Sequence, residues 1–318
     1  MAGCTHDHSR WGAADQIGAG NLLTPEKRLA ALRSVTQGRI FDVSHEIGLN
    51  APYMMPNQTP YLMSLWTNWR DSMRRRRAMG ATNEVGVNIE RMEMTAHVGT
   101  HIDALGHFSI GNRLYNGVDA EEEVTHWGLN RLGIEHAPPM VTRGILLDVA
   151  HLDGGDQLAA GRVVTPEDLQ AATKAANITI ESGDIVMIRT GWGRLFGIDN
   201  PRYVAGEPGI DVPAARWLTE QGVVAVGSDN MAVEVLPNPQ QSHLHAGPPA
   251  SAGRSRGLHH REPGAGGTGE RETDQLLLHP AGNQVQRRHR LPSAPDCYDL
   301  AGDWVSGGKA RGSAPGPR

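Results

Sequence analysis

Cysteine is nearly absent from this 318-residue chain, with Cys4 and Cys297 its only two. Two thiols cannot build a disulfide framework, which fits a reducing compartment and makes the cytoplasm the expected location. Also missing is any apolar run near the roughly 20 residues needed to span a bilayer. The polar stretch Met1–Arg10 lacks the apolar centre of a signal peptide. Basic excess is missing too: 30 Lys and Arg stand against 35 Asp and Glu, a net charge of −5 that offers no attraction to nucleic acid or an anionic membrane. The run Arg74–Arg77 is the local exception. Beside Met73 and Met79 it reads as a solvated helix end or loop, or as a means of steering an anionic substrate.

A second scarcity divides the chain. All 14 isoleucines, all 11 methionines and all three phenylalanines precede residue 240. From residue 240 onward there are none, but there are 13 glycines, 8 prolines and 6 histidines. Charge changes sign as well, from 20 basic and 28 acidic side chains before residue 240 to 10 and 7 after it. Such a segment cannot bury enough apolar surface to offset its chain entropy. We therefore divide the sequence into a domain over 1–240 and an anomalous segment over 241–318, either an evolved disordered tail or a stretch translated out of frame. Composition alone favours the first, and recoding favours the second. With suitable codons, a one-base shift turns Leu258–Pro263 into Tyr-Ile-Ile-Glu-Asn-Leu and Ala281–Gln286 into Leu-Ala-Thr-Lys-Phe-Lys.

What precedes residue 240 has the composition of a globular protein, long enough for a sizeable core. Thr24-Pro25-Glu26 carries the cap, proline and first-turn acid of a helix start, with Leu29, Leu32 and Val35 at helical spacing and Gly38 to close it. Val164–Asp168 repeats the signature and predicts a helix to about Ala176; Val212–Gln221 predicts another. Strands are expected at Arg39–Ser44, Arg91–His97, Gly144–Val149, Asp184–Arg189 and Val223–Val226, the third and last as buried apolar runs. Strands and helices mix without a strict alternation, so the expected class is a mixed α/β domain.

The densest chemistry lies in His97-Val98-Gly99-Thr100-His101-Ile102-Asp103-Ala104-Leu105-Gly106-His107. His97, His101 and Asp103 offer two imidazoles and a carboxylate, a set suited to Zn²⁺, Mn²⁺ or Fe²⁺. Gly99-Thr100 lets the chain turn, and side chains two apart share a direction where the backbone is extended. Three ligands leave coordination positions open, the mark of a catalytic metal site. His107 is then free to act as general acid and base, or as a further ligand. His6, His8, His45, His126, His136 and His151 stand singly and read as structural or surface residues. His243, His245, His259 and His260 fall in the anomalous segment. Trp11, Tyr61, Trp66, Trp69 and Trp192 are candidates for an aromatic pocket or for core.

This eleven-residue stretch resembles the HxGTHxDxxxH signature of the cyclase family of metal-dependent hydrolases, which includes bacterial kynurenine formamidase and isatin hydrolase. Further similarity lies in Arg10-Trp11-Gly12 with Asn21–Pro25, in Leu114–Gly117, in Gly183–Trp192 and in Gly227–Met231, so the resemblance covers about residues 9–240. It implies a swivelling β/β/α domain with a mixed sheet, a homodimer, and hydrolysis of an amide or lactam bond in a small molecule. It also implies Zn²⁺ or Mn²⁺ held by His97, His101 and Asp103, with His107 catalytic. The chain departs from the family after residue 240. There the family supplies a further His and Glu, in segments like HLLVEAG and YIIENL, where this chain has Pro248–Ser251 and His260-Arg261-Glu262. The shifted frame can restore both segments. A catalytically inactive relative and a non-haem iron oxygenase are the competing functional readings.

Overall fold

Local chemistry is clearest at the helix starts of this computed structural model. Thr24 Oγ1 accepts the Lys27 amide at 3.2 Å at the head of α1 (Pro25–Arg33). The structure describes residues 10–239 and the pair Leu276–Leu277, all within one unit, Met1–Asn283. The remaining elements are β1 (Leu62–Thr67), α2 (Trp69–Ala78), β2 (Ile89–Glu93), α3 (Ala120–Glu123), β3 (Val124–Thr125), β4 (Gly128–Leu129) and β5 (Gly144–Asp148). There follow α4 (Val149–Leu152), β6 (Val163–Val164), α5 (Pro166–Ala175), β7 (Ile185–Arg189), α6 (Asn200–Ala205), β8 (Gly209–Ile210), α7 (Val212–Glu220), β9 (Ala225–Ser228) and β10 (Leu276–Leu277). In α5 the Thr165 hydroxyl accepts the Asp168 amide while the Asp168 carboxylate accepts that of Thr165, a closed capping box. Asp211 caps α7 through the Ala214 amide at 2.9 Å.

The core is built on a parallel sheet in the order β10–β9–β7–β5. Parallel neighbours need crossovers. Here α4, β6 and α5 link β5 to β7, and α6, β8 and α7 link β7 to β9. Val186 and Ile188 of β7 pack with Leu169 and Ala172 of α5 and with Ala214 and Leu218 of α7 in one buried cluster. Each large apolar side chain so buried contributes about 2 kcal/mol. The mixed α/β class is therefore observed. Among the described residues no helix is long and apolar enough to cross a membrane.

Four expectations are corrected. Arg39–Ser44 forms no strand; with no strand partner among the described residues it runs as exposed, irregular chain. The strand before the histidines is β2, which ends at Glu93, because Thr95 diverts its hydroxyl to the Thr59 amide and the chain begins to bend. β5 alternates in burial, with Leu146 exposed between Ile145 and Leu147, because it is the sheet's edge strand. Helix α1 stops at Arg33, short of Gly38, and buries no residue. Arg74–Arg77 does lie on a helix end, solvated on α2. The anomalous segment 241–318, its histidines and the boundary at 240 lie outside the described residues, apart from Leu276–Leu277.

Distant stretches meet through single polar groups. Asp15 accepts the Asn21 amide at 2.7 Å and the Tyr115 hydroxyl at 2.6 Å, and Asn116 donates to the Gly12 carbonyl, so 10–25 packs against 114–117. At the start of β7, Asp184 is fully buried. It accepts Arg143 in a two-pronged contact at 2.6 and 3.1 Å, Lys27 at 2.8 Å and the Glu181 amide. Burial raises its proton affinity, but these donors outweigh that and hold the carboxyl below the usual range. Because the folded value is depressed, its stabilising effect is present above the unfolded Asp pKa of about 4 and is lost as pH falls through the folded value. We predict that Asp184→Asn costs about 3 kcal/mol at pH 7, since two cations lose their partner. Urea unfolding between pH 2 and 7 checks this: the variant should lose most of the wild-type stability gain in the acid limb.

Candidate metal centre

Contacts with neighbours shape the segment from His97 to His107. Gly99 has φ +64°, and a Cβ there would lie 2.8 Å from Ile47 Cγ1, so both conformation and space require glycine. Val98, Thr100 and Leu105 are buried anchors. Thr100 Oγ1 accepts the His45 amide at 3.1 Å, Gln58 donates its side-chain amide to the His97 carbonyl, and the Gly106 amide bonds Leu132 O at 3.1 Å.

Held in this way, the segment turns its polar side chains toward Asp103. Asp103 Oδ1 lies 2.8 Å from His97 Nδ1 and 3.3 Å from His101 Nε2. His107 stacks on His97 with ring centroids 3.8 Å apart and planes 19° apart. One ligand atom from each of His97, Asp103 and His107 lies within 4.8 Å of the others. Asp103 is buried, His97 and His101 are partly so, and His107 is exposed.

Two details test whether a cation suits this cluster. His97 Nδ1 is buried and makes no aligned hydrogen bond even though Asp103 Oδ1 is so close. Donor atoms crowded together without hydrogen-bond alignment fit a set arranged around a cation. His101 Nδ1 lies 2.8 Å from the Gly99 carbonyl; donating there leaves its Nε2 lone pair toward Asp103, the usual support of a metal-binding imidazole. The N and O donors suit a borderline divalent ion. His97 and His101 both approach Asp103, as their spacing suggests, but the trio whose ligand atoms lie within 4.8 Å of one another is His97, Asp103 and His107.

His45, expected to be a structural or surface residue, is a structural support of this segment. Its ring stacks on Phe196 at 4.2 Å, its amide holds Thr100, and burial lowers its proton affinity while the Asp229 charge opposes that effect. Gly193 lets this wall close: a Cβ there would lie 3.2 Å from both His45 Nε2 and Asp229 Cβ. Asp229, just beyond β9, accepts the Thr190 amide and hydroxyl at 2.7 and 2.5 Å and the Gly191 amide at 2.7 Å. His45 therefore ties the histidine segment to the carboxyl ends of β7 and β9, where parallel sheets commonly bind ligands. No local spacing signals this, because its partners come from three separate stretches. His126, His136 and His151 are exposed, as expected. Of the candidate pocket aromatics, Trp192 is wholly buried with Leu195 and Tyr203, donating its indole N–H to the Tyr203 carbonyl, and Tyr61 is core.

Beneath Asp229, Glu207 is fully buried and accepts the Met231 and Ala232 amides at 2.6 and 2.7 Å. Burial, which these bonds only partly offset, pushes its pKa up to about 8, with Glu234 and Asp229 adding repulsion. A raised folded value means that this group favours the fold most below the unfolded Glu pKa, near 4.3, and loses that effect as pH climbs to about 8. We predict that Glu207→Gln flattens stability between pH 5 and 8, measured by thermal unfolding across that range. For the metal cluster, Asp103→Ala should weaken Zn²⁺ binding by more than the roughly 100-fold that losing an outer partner costs. Isothermal titration of the full chain checks it.

Over residues 41–235 the chain matches a family model described as cyclase. The crystal structure of a novel cyclase superposes with a TM-score of 0.66 at 29% identity, covering 73% of this chain and 79% of that one. Isatin hydrolase A from Ralstonia solanacearum superposes with a TM-score of 0.50 at 16% identity, covering 82% of this chain and 86% of that one, a likeness of fold. No curated protein matches the chain. The family match spans more than half of the chain and contains all four residues of the cluster, and this protein belongs to the cyclase family.

Proposed function

We propose that this protein hydrolyses an amide or lactam C–N bond in a small molecule, of the N-formylkynurenine or isatin kind, using Zn²⁺ or Mn²⁺. The observation carrying the reading is the convergence of His97, His101 and His107 on the buried Asp103. His97, His101 and Asp103 hold the ion. When bound, such an ion acidifies water and polarises a carbonyl. His107, the exposed member of the cluster, takes a proton from the attacking water and returns it to the departing nitrogen. Its stack on His97 fixes the plane of its ring, so the proton is exchanged at a defined point. The protein acts as a cytoplasmic homodimer without nucleic acid or membrane partners.

The test is turnover of N-formylkynurenine and of isatin by the full chain loaded with Zn²⁺ or Mn²⁺. We predict that His107→Ala lowers kcat by roughly 10²- to 10⁴-fold while metal content is unchanged. Loss of metal in that variant would make His107 a ligand instead. A metal-loaded chain inert toward both compounds would support the inactive relative, and oxygen-dependent turnover with Fe²⁺ would support the oxygenase.

A further inference from the structure

The loop that follows β9 is held under tension by groups that the metal cluster does not use. Residues 229–236 run back along 207–210. The Glu207 and Leu236 backbones exchange hydrogen bonds at 2.7 and 3.0 Å, and the Ile210 amide donates to the Val233 carbonyl at 3.1 Å. Asn230 joins the same contact, its side-chain amide donating to the Pro208 carbonyl at 2.6 Å and its Oδ1 accepting the Val233 amide at 2.8 Å. Between these ties Val233 is held at φ +66°, a costly conformation for a β-branched residue that persists only where neighbours over-determine it. Gly209 permits the close approach, since a Cβ there would lie 2.4 Å from the Val233 carbonyl oxygen. The turn at Met231 and Ala232 is gripped by one side chain, the buried Glu207, with one carboxyl oxygen on each amide.

Among the described residues, the titratable groups that act most on Glu207 are acids: Glu234 and Asp229 from the loop itself and the Tyr203 phenol from α6. Arg162, whose carbonyl accepts the Gly209 amide, spends its guanidinium on Asp153 and Asp168, and Arg202 of α6 lies over the Trp192 ring. A negative charge on Glu207 is therefore buried among like charges, whereas a neutral carboxyl escapes that cost. We propose that Glu207 is a proton-operated latch: neutral, it keeps the 229–236 loop closed on 207–210; ionised, it lets the strained turn release and loosens the wall of the metal cluster. The wall is reached through Asp229, two residues before Met231. Asp229 accepts the Thr190 and Gly191 amides and, across Gly193, flanks His45, whose own amide holds Thr100 between His97 and His101. This last arm rests on the reading of that cluster as a metal centre; the latch itself does not.

Glu207 has a pKa of about 8 in the closed loop and one near 4.3 once water reaches it, so closure weakens as pH rises from about 5 and levels off past 8. The experiment is hydrogen exchange of the full chain between pH 5 and 9, corrected for intrinsic rates and read at 229–236 against Ile185–Arg189 of β7. Protection at 229–236 should fall at least roughly tenfold between pH 5 and 8, by more than in β7, and then level off. Glu207→Gln should flatten the fall. Glu234→Gln keeps Glu207 and removes one repelling charge, so it should move the levelling-off below pH 8 and decides the matter if the first variant fails to fold. Zn²⁺ affinity of the wild type relative to Glu207→Gln, or to Glu234→Gln if only that variant folds, should drop several-fold between pH 6 and 8, the ligand histidines titrating alike in both. Equal loss of protection in the loop and β7, a fall that persists in Glu207→Gln, or an unmoved levelling-off in Glu234→Gln would overturn the latch. A constant affinity ratio would overturn its link to the cluster. A chain that binds no Zn²⁺ in any form would overturn the metal centre itself, with the latch still decided by exchange.

Discussion

Asp184 has been taken out of water at the first turn of β7, and the sheet that carries the core is assembled around its carboxylate. A buried charge without partners would cost several kcal/mol, so Arg143 at the approach to β5 and Lys27 on α1 are drawn to it. Two strands and a helix are thereby registered at one end of the sheet. At the other end a second carboxylate, Asp229, gathers the Thr190 and Gly191 donors and joins the tips of β7 and β9. The same rule, that a buried carboxylate must be met by donors or cations, governs Asp103 between its imidazoles.

These three carboxylates divide the labour. Asp184 is met fully by protein groups and is structural. Asp229 is met by backbone and hydroxyl donors and turns its field on His45, which in turn grips the histidine segment through Thr100. Asp103 is met by nitrogens that crowd it without hydrogen-bond alignment at His97, the geometry that suits an ion. A rigid scaffold thus presents its chemistry on an irregular segment, with Gly99 and Gly106 at points where a side chain has no room.

Much of this was legible residue by residue where the cause is local. Thr24, Thr165 and Asp211 cap helices by reaching three residues along their own chain, and the histidine cluster forms within eleven consecutive residues. Strands were legible only where a neighbour exists. Ile185–Arg189 lies between two parallel partners and is a strand, whereas Arg39–Ser44, with equally suitable side chains, has none among the described residues and is irregular. His45 was illegible because its meaning depends on Phe196, Thr100 and Asp229, which are brought to it from far along the chain.

The sequence alone determined that His97, His101, Asp103 and His107 fall within eleven residues, and the change of composition at residue 240, because both are properties of neighbouring residues. Tertiary structure decided the rest. It brought three imidazoles to one carboxylate, set His107 against His97, and recruited His45 as a support. Side-chain type fixes which contacts are chemically possible, but only the path of the folded chain decides which atoms meet.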